Sequence, residues 1–279
     1  MAEHENTSLT AISRTAFFCC GIRAQDAESA NPICGDTYAD DFMTDEGRSI
    51  LARFATTGQR RNVSNVVRAR MIQDDIGTRL RRNPELQVVN IGAGFDSRAY
   101  RLTGGNWLEF DEPAIIEHKE SCVPSSTCPN PLRRIAVDFS AGELSDALSR
   151  HCDPTAETLV VIEGVFMYLE RSEVIDLLEA VAETLPRHAL ICDLMDKTFF
   201  DKHVGELHDQ IVALGSEFKF LEDRPEKVFL DNGYLQQRKP VSIVGRANEL
   251  GAVFAPAILL GTVMKSLRDG YRIHTFSRS

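Results

Sequence analysis

Five short apolar runs, at residues 87–91, 106–110, 133–137, 158–162 and 188–192, alternate with stretches of helical spacing at 97–102, 112–120, 142–150 and 171–185. Strands separated by helix-length segments specify βαβ units, and with them an open, mainly parallel sheet. The first run constrains the chain most. Val88-Val89-Asn90-Ile91-Gly92-Ala93-Gly94-Phe95-Asp96 is apolar apart from Asn90, breaks on two glycines and then turns polar. A parallel strand buried on both faces reads as such a run, and a tight turn at its carboxyl end needs residues without a Cβ. Gly92 and Gly94 would let backbone approach a nucleotide-sized ligand.

Four of the runs lead into chemically useful residues: Gly92, Asp111, Asp138 and Glu163. In a parallel sheet these gather at one edge, outside the carboxyl ends of the strands, where ligands bind. Asp111 follows the glycine turn by about twenty residues, the spacing at which an acid can hold ribose hydroxyls. It can equally start the helix opened by Glu112-Pro113. Asp138 with Phe139 suits an adenine site, a carboxylate meeting the exocyclic amine and an aromatic group the ring, or it caps Ser140-Ala141-Gly142. Glu163 directly follows an all-apolar strand, where an acid without a partner is costly, so a cofactor contact is expected of it. A dinucleotide fingerprint would place a third glycine at position 97, where this chain has Ser97.

VVNIGAGFDSRAYRL, then LEFDEPAIIEHK, and then Glu163-Gly164-Val165-Phe166-Met167-Tyr168-Leu169 resemble the leucine carboxyl methyltransferase family and its bacterial and fungal small-molecule O-methyltransferase relatives. The resemblance runs over roughly residues 11 to 195 and thins beyond. It implies a class I methyltransferase fold, a Rossmann-like doubly wound α/β sheet with an antiparallel C-terminal strand, and S-adenosylmethionine as cofactor. It implies cofactor-binding roles for Arg68, Gly92, Gly94, Asp111, Asp138, Phe139 and Glu163. Arg68 would take the carboxylate of the cofactor's amino acid end, for which a guanidinium offers a bidentate fork. Arg68 and Arg70, two apart on a helix expected from Asn62 to about Leu80, point about 200° apart, so one of them is expected to be exposed. Tyr168 and Arg23 are candidates for orienting the substrate. Gly35-Asp36-Thr37-Tyr38-Ala39 occupies the place of the family's D-P-x-A-like element, with Thr37 where proline is common. Members directed at a protein phosphatase use a lysine upstream of it; here Arg23 is the nearest cation, which disfavours such a substrate.

Residues 8 to 24 set Leu9, Ile12, Ala16, Cys19 or Cys20, and Arg23 at helical spacing, either as packing or as a lid. Lys197 to Lys219, with Phe199, Phe200, Val204, Leu207, Ile211, Leu214 and Phe218 every three or four residues, reads as a helical cap. Gly233-Tyr234-Leu235 and Gly270 to Phe276 read as an antiparallel pair closing the sheet. The expected organisation is one methyltransferase unit: a helical extension or lid at 1–84, a cofactor-binding core at 85–195, a helical cap at 196–232 and sheet closure at 233–279.

Forty-one acids against 31 bases, a net charge of −10, argue against a nucleic-acid partner, which needs a basic footprint. Seven cysteines without a C-x-x-C pattern read as reduced thiols in a cytoplasmic protein. His203 and His208 lie five apart, off the spacing that puts two metal ligands on one helix face, so no metal site is expected. No signal-peptide pattern is visible, and the longest uncharged stretch, Leu250 to Met264, falls short of the roughly twenty apolar residues of a membrane span. The chain lacks the Asn- or Asp-Pro-Pro-Tyr loop common in amino-methylating enzymes, so the expected acceptor is an oxygen, a carboxylate or hydroxyl of a small molecule. The alternatives are a carboxyl methyltransferase acting on a protein C-terminus, an NAD-dependent oxidoreductase, and a module that binds the cofactor without turnover.

Overall fold

The computed structural model describes residues 11–55, 63–254, 256, 261, 262 and 264–278. Leu9, Asn62 and, within the uncharged stretch 250–264, residues 255, 257–260 and 263 lie outside the described residues. Eight strands form one sheet: β1 (Gln87–Ile91), β2 (Asn106–Asp111), β3 (Leu132–Ala136), β4 (Thr158–Ile162), β5 (His188–Met195), β6 (Leu235–Gln236), β7 (Val241–Ser242) and β8 (Tyr271–Arg278). Their order is β3-β2-β1-β4-β5-β8-β6, with β7 also paired to β8. β1 to β5 are parallel, whereas β8 runs antiparallel between β5 and β6. The order reverses between β1 and β4, the switch point at which open α/β sheets bind their ligands.

The helices, in chain order, are α1 (Ala11–Ala27), α2 (Asp45–Ala55), α3 (Val63–Arg82), α4 (Arg98–Arg101), α5 (Pro113–Cys122), α6 (Leu144–His151), α7 (Arg171–Thr184), α8 (Lys197–His203), α9 (Gly205–Ala213), α10 (Glu226–Asp231) and α11 (Ile243–Glu249), with a final turn of helix at Lys265–Asp269. Side chains alternate across a strand, so each central strand feeds two cores. Val88, Leu159, Val161 and Ile191 pack with α1, α3 and α11 on one face. Val89, Ile91, Val160, Ile162 and Leu190 pack with α6, α7 and α10 on the other. This is a doubly wound sheet with an antiparallel closing strand, the fold class that the strand pattern and the resemblance predict.

The differences from the predicted elements have local causes. β5 runs three residues past its apolar stretch, through Asp193 to Met195, because the Asp193 carboxylate is paired inside the protein. β3 starts and ends one residue earlier than its apolar centre suggests, although Val137 N still donates to the Asp111 carbonyl. The strand expected from Gly233 is only two residues long. α2 is not anticipated by apolar spacing alone; the Thr44 hydroxyl accepts from Gly47 N at its start, and Phe54 stacks on Phe18 at a centroid distance of 4.1 Å. Among the described residues no helix is long and apolar enough to cross a membrane.

Candidate functional site

A cavity of about 1100 Å³ opens at the carboxyl edge of the sheet, at the switch point. Its walls come from α1, the start of α3, the turns after β1, β2, β3 and β4, and the cap formed by α8 and α9. The volume is at the upper end of small-molecule sites, enough for two ligands side by side. Arg23, Arg68, Gly92, Gly94, Asp111, Phe139, Glu163 and Tyr168 all border it.

The glycine turn needs its glycines. Gly92 has φ +67° and Gly94 φ +45°, and a Cβ on Gly92 would collide with the Val165 side chain. The turn is held from below by Asp111, whose Oδ2 accepts from Gly94 N at 2.6 Å and whose Oδ1 accepts from Glu112 N at 2.7 Å. Asp111 is not the helix cap, since α5 is preceded by Glu112 and opens on Pro113. Burial raises the Asp111 carboxyl to a pKa of about 6, with the Gly94 and Glu112 amides opposing the rise.

Glu163 is committed to two guanidiniums: Arg68 Nε donates to its Oε1 at 3.0 Å, and Arg98 Nη2 to its Oε2. Burial would raise its pKa, but Arg98 and Arg68 outweigh that and hold the carboxyl below the usual range. Arg98 also pairs with Asp96 at 3.3 Å, and Arg68 Nη1 with Asp193 at 3.2 Å. Asp96 and Arg98 border the cavity themselves, whereas Asp193 joins the site through Arg68; their signal in the sequence is a charge beside an apolar run. Of the two helix arginines, Arg68 is buried while Arg70 is half exposed and paired with Asp74.

Arg23 borders the cavity but is anchored: Nε donates to Asp36 Oδ2 at 2.9 Å and Nη2 to the Phe95 carbonyl at 2.7 Å. Ser97, at the place of a third glycine, is fully buried and donates to Asp36, while its Oγ accepts from Arg101 at 2.8 Å. Asp138 is exposed, and its Oδ1 accepts from Ser140 N, Ser140 Oγ and Ala141 N at 2.9, 2.6 and 3.1 Å. This local turn leaves Phe139, Ser140 and Gly142 to form the wall. Tyr168 packs edge-on to Phe218 at 5.2 Å, and burial raises its phenol pKa, so the hydroxyl stays protonated. Asn65, one turn before Arg68 on α3, also borders the cavity; it is 5% exposed, and its Oδ1 has no hydrogen-bond partner among the described residues. No sequence signal singled it out.

Residues 16–182, more than half of the chain, match the leucine carboxyl methyltransferase family. The chain belongs to that family. It is accordingly an S-adenosylmethionine-dependent methyltransferase. Among similar proteins, the tetracenomycin polyketide synthesis O-methyltransferase TcmP of Streptomyces glaucescens is 26% identical over 192 residues, 68% of each chain. A protein of Parafrankia sp. (strain EAN1pec), named as an S-adenosyl-L-methionine-dependent methyltransferase without a stated substrate, is 30% identical over 185 residues, 61% of this chain and 58% of its own. The matches thus span roughly three fifths to two thirds of these two relatives. The solved structure of a DUF574 family protein from Streptomyces avermitilis shares the fold at a TM-score of 0.65 and 12% identity, over 95% of this chain and 97% of that one. In this leucine carboxyl methyltransferase family member the acids at the carboxyl edge join a continuous ion-pair cluster that reaches into β5.

Proposed function

We propose that the protein is an O-methyltransferase acting on a small, largely apolar molecule. The observation that carries this reading is the division of the cavity. Its sheet side is lined by the glycine turn, Asp111, Asp96, Arg98, Glu163 and Arg68, with Asp193 paired to Arg68 behind the wall. Its cap side is lined by Phe18, Met167, Tyr168, Phe199, Leu207 and Phe218.

The sheet side fits S-adenosylmethionine. Three carboxylates, Asp96, Glu163 and Asp193, meet two guanidiniums in one connected cluster, whose formal charge of −1 complements a sulfonium cation. Arg68 would hold the amino acid carboxylate, Asp111 the ribose hydroxyls, and Phe139 the adenine ring, while the Gly92 and Gly94 turn admits the chain of the cofactor. Asp138 would reach the adenine amine through the oxygen its turn leaves over. When bound, the sulfonium supplies an electrophilic methyl group that an oxygen lone pair attacks as the carbon–sulfur bond breaks toward sulfur.

The protein's own part is alignment and exclusion of water. The aromatic cap side seats an apolar body, and Tyr168 offers a protonated hydroxyl that orients a polar group without removing its proton. The similarity to a polyketide O-methyltransferase supports an acceptor of this class. The test has two steps. Titration calorimetry with S-adenosylmethionine and NAD should give binding of the first alone. Incubation with labelled S-adenosylmethionine and a panel of aromatic carboxylic acids and phenols should then transfer label to oxygen. Label on a peptide C-terminus instead, with none on the panel, would overturn the small-molecule reading.

A further inference from the structure

Asp193 and Tyr271 both lie outside the family-matched residues 16–182, one in β5 and the other at the start of β8. Both are buried, and together they grip Arg68. Tyr271 Oη accepts from Arg68 Nη1 at 2.7 Å and donates to Asp193 Oδ2 at 2.5 Å. Asp193 Oδ2 also accepts from the same Nη1 at 3.2 Å, while its Oδ1 accepts from Gly164 N at 2.7 Å. With Nε given to Glu163, three of the five guanidinium N–H groups are fixed. Nη2 alone is left without an acceptor among the described residues. It faces Gly164, where φ is +69° and a Cβ would stand 3.0 Å from it. The absence of a side chain there leaves the Nη2 edge open toward the cavity that Arg68, Gly164 and Tyr271 all border.

We infer that Tyr271 and Asp193 are positioning residues for the cofactor's amino acid end: they lock the Arg68 guanidinium so that Nη2 is presented to the carboxylate. The inference rests on the reading of Arg68 given above. Pre-organising a long side chain removes the ordering cost that binding would otherwise meet, and a buried phenol between a guanidinium and a carboxylate does this without adding charge. Tyr271 is held in turn by its ring packing against Phe199 of the cap, at 5.8 Å between centroids. The closing strand therefore belongs to the cofactor site as well as to the sheet.

The test compares two ligands that share the adenosine part. S-adenosylhomocysteine carries the amino acid end, and 5′-methylthioadenosine does not. By calorimetry, Tyr271→Phe should weaken S-adenosylhomocysteine by about tenfold, the scale of one lost charge-assisted hydrogen bond, and leave 5′-methylthioadenosine within about twofold. Asp193→Asn should show the same selectivity, and thermal melts of both variants report whether the fold survives. Equal weakening of both ligands, or no weakening of either, would overturn the positioning role. If the unaltered protein bound 5′-methylthioadenosine but gained nothing from the amino acid end, the role of Arg68 itself would fall, and if it bound neither, the cofactor assignment would.

Discussion

Arg23 of the first helix and Phe95 of the glycine turn, 72 residues apart in sequence, are joined by a 2.7 Å hydrogen bond from guanidinium to backbone carbonyl. The same guanidinium pairs with Asp36, which also receives Ser97. The N-terminal helices are thus tied to the turn that would face the nucleoside, and Arg23 holds that turn through its backbone.

Arg23→Met should therefore weaken S-adenosylhomocysteine and 5′-methylthioadenosine alike, by about five- to tenfold, because it frees the turn beneath the nucleoside that both contain. This contrasts with the selective loss expected at Tyr271. Calorimetry with the two ligands checks it; unchanged affinity for both would reduce Arg23 to a packing contact.

Cofactor affinity should be level above about pH 7 and fall as pH drops through about 6, where Asp111 takes up a proton. The sign follows from the ligand's hydroxyls, which donate better to a carboxylate than to a carboxylic acid. Glu163 and Asp96 are held below the ordinary carboxylate range and do not titrate in this window. For folding the sign is opposite: with its folded pKa above the unfolded value of 3.8, Asp111 favours the fold at low pH and loses that contribution as pH rises from about 4 to about 6. Calorimetry from pH 5 to 8 on the parent and on Asp111→Asn tests this; the variant should bind weakly with the inflection near pH 6 gone.

Lys119 of α5 is wholly buried and donates to Glu109 of β2 at 2.7 Å, and Arg134 of β3 donates to the same carboxylate oxygen at 3.2 Å. Lys119→Met keeps the bulk and removes one of the two cations, so the loss of stability should be about 3 kcal/mol, the lower part of the range for breaking a buried pair. Urea denaturation measures it. Glu109→Gln, which leaves two buried cations facing a neutral group, should cost at least as much.

Asn65→Leu should stabilise the ligand-free protein by about 1 kcal/mol, because a buried carbonyl oxygen without a partner among the described residues is exchanged for an apolar group of similar size. A raised melting temperature without ligand is the expected result; a lowered one would mean that the carboxamide is satisfied in solution.

What could be read from the sequence was what its neighbours in the chain determine. β1, β2 and β4 are apolar runs ending in turns, so their bounds follow within a residue, and the order of acids after them places Asp111 and Glu163 at the carboxyl edge. The second half of β5 was not legible, because Asp193 breaks the apolar run and is compatible with a buried strand only through Arg68 and Tyr271, 125 and 78 residues away. Ser97 was visible only as a missing glycine; its work is done by Asp36, 61 residues earlier. At Asp138 the structure shows the turn-closing reading, with Oδ1 taking Ser140 and Ala141, and the adenine contact belongs to the proposed function. The cap was legible as helical spacing, but which of its side chains face the cavity depends on how α8 and α9 sit over β5.

β8 lies between β5 and β6 and carries Tyr271 to Arg68, so the site closes in time as well as in space. During synthesis, a nascent chain that has released everything through residue 182 still lacks Asp193, and one that has released Asp193 still lacks the strand that locks the guanidinium. Domains fold as units while the chain emerges, at about 5–20 residues per second. On the role proposed for Arg68, full-strength grip on the cofactor's amino acid end would therefore wait for β8, and the ligand would have little hold on a chain that has not yet formed it.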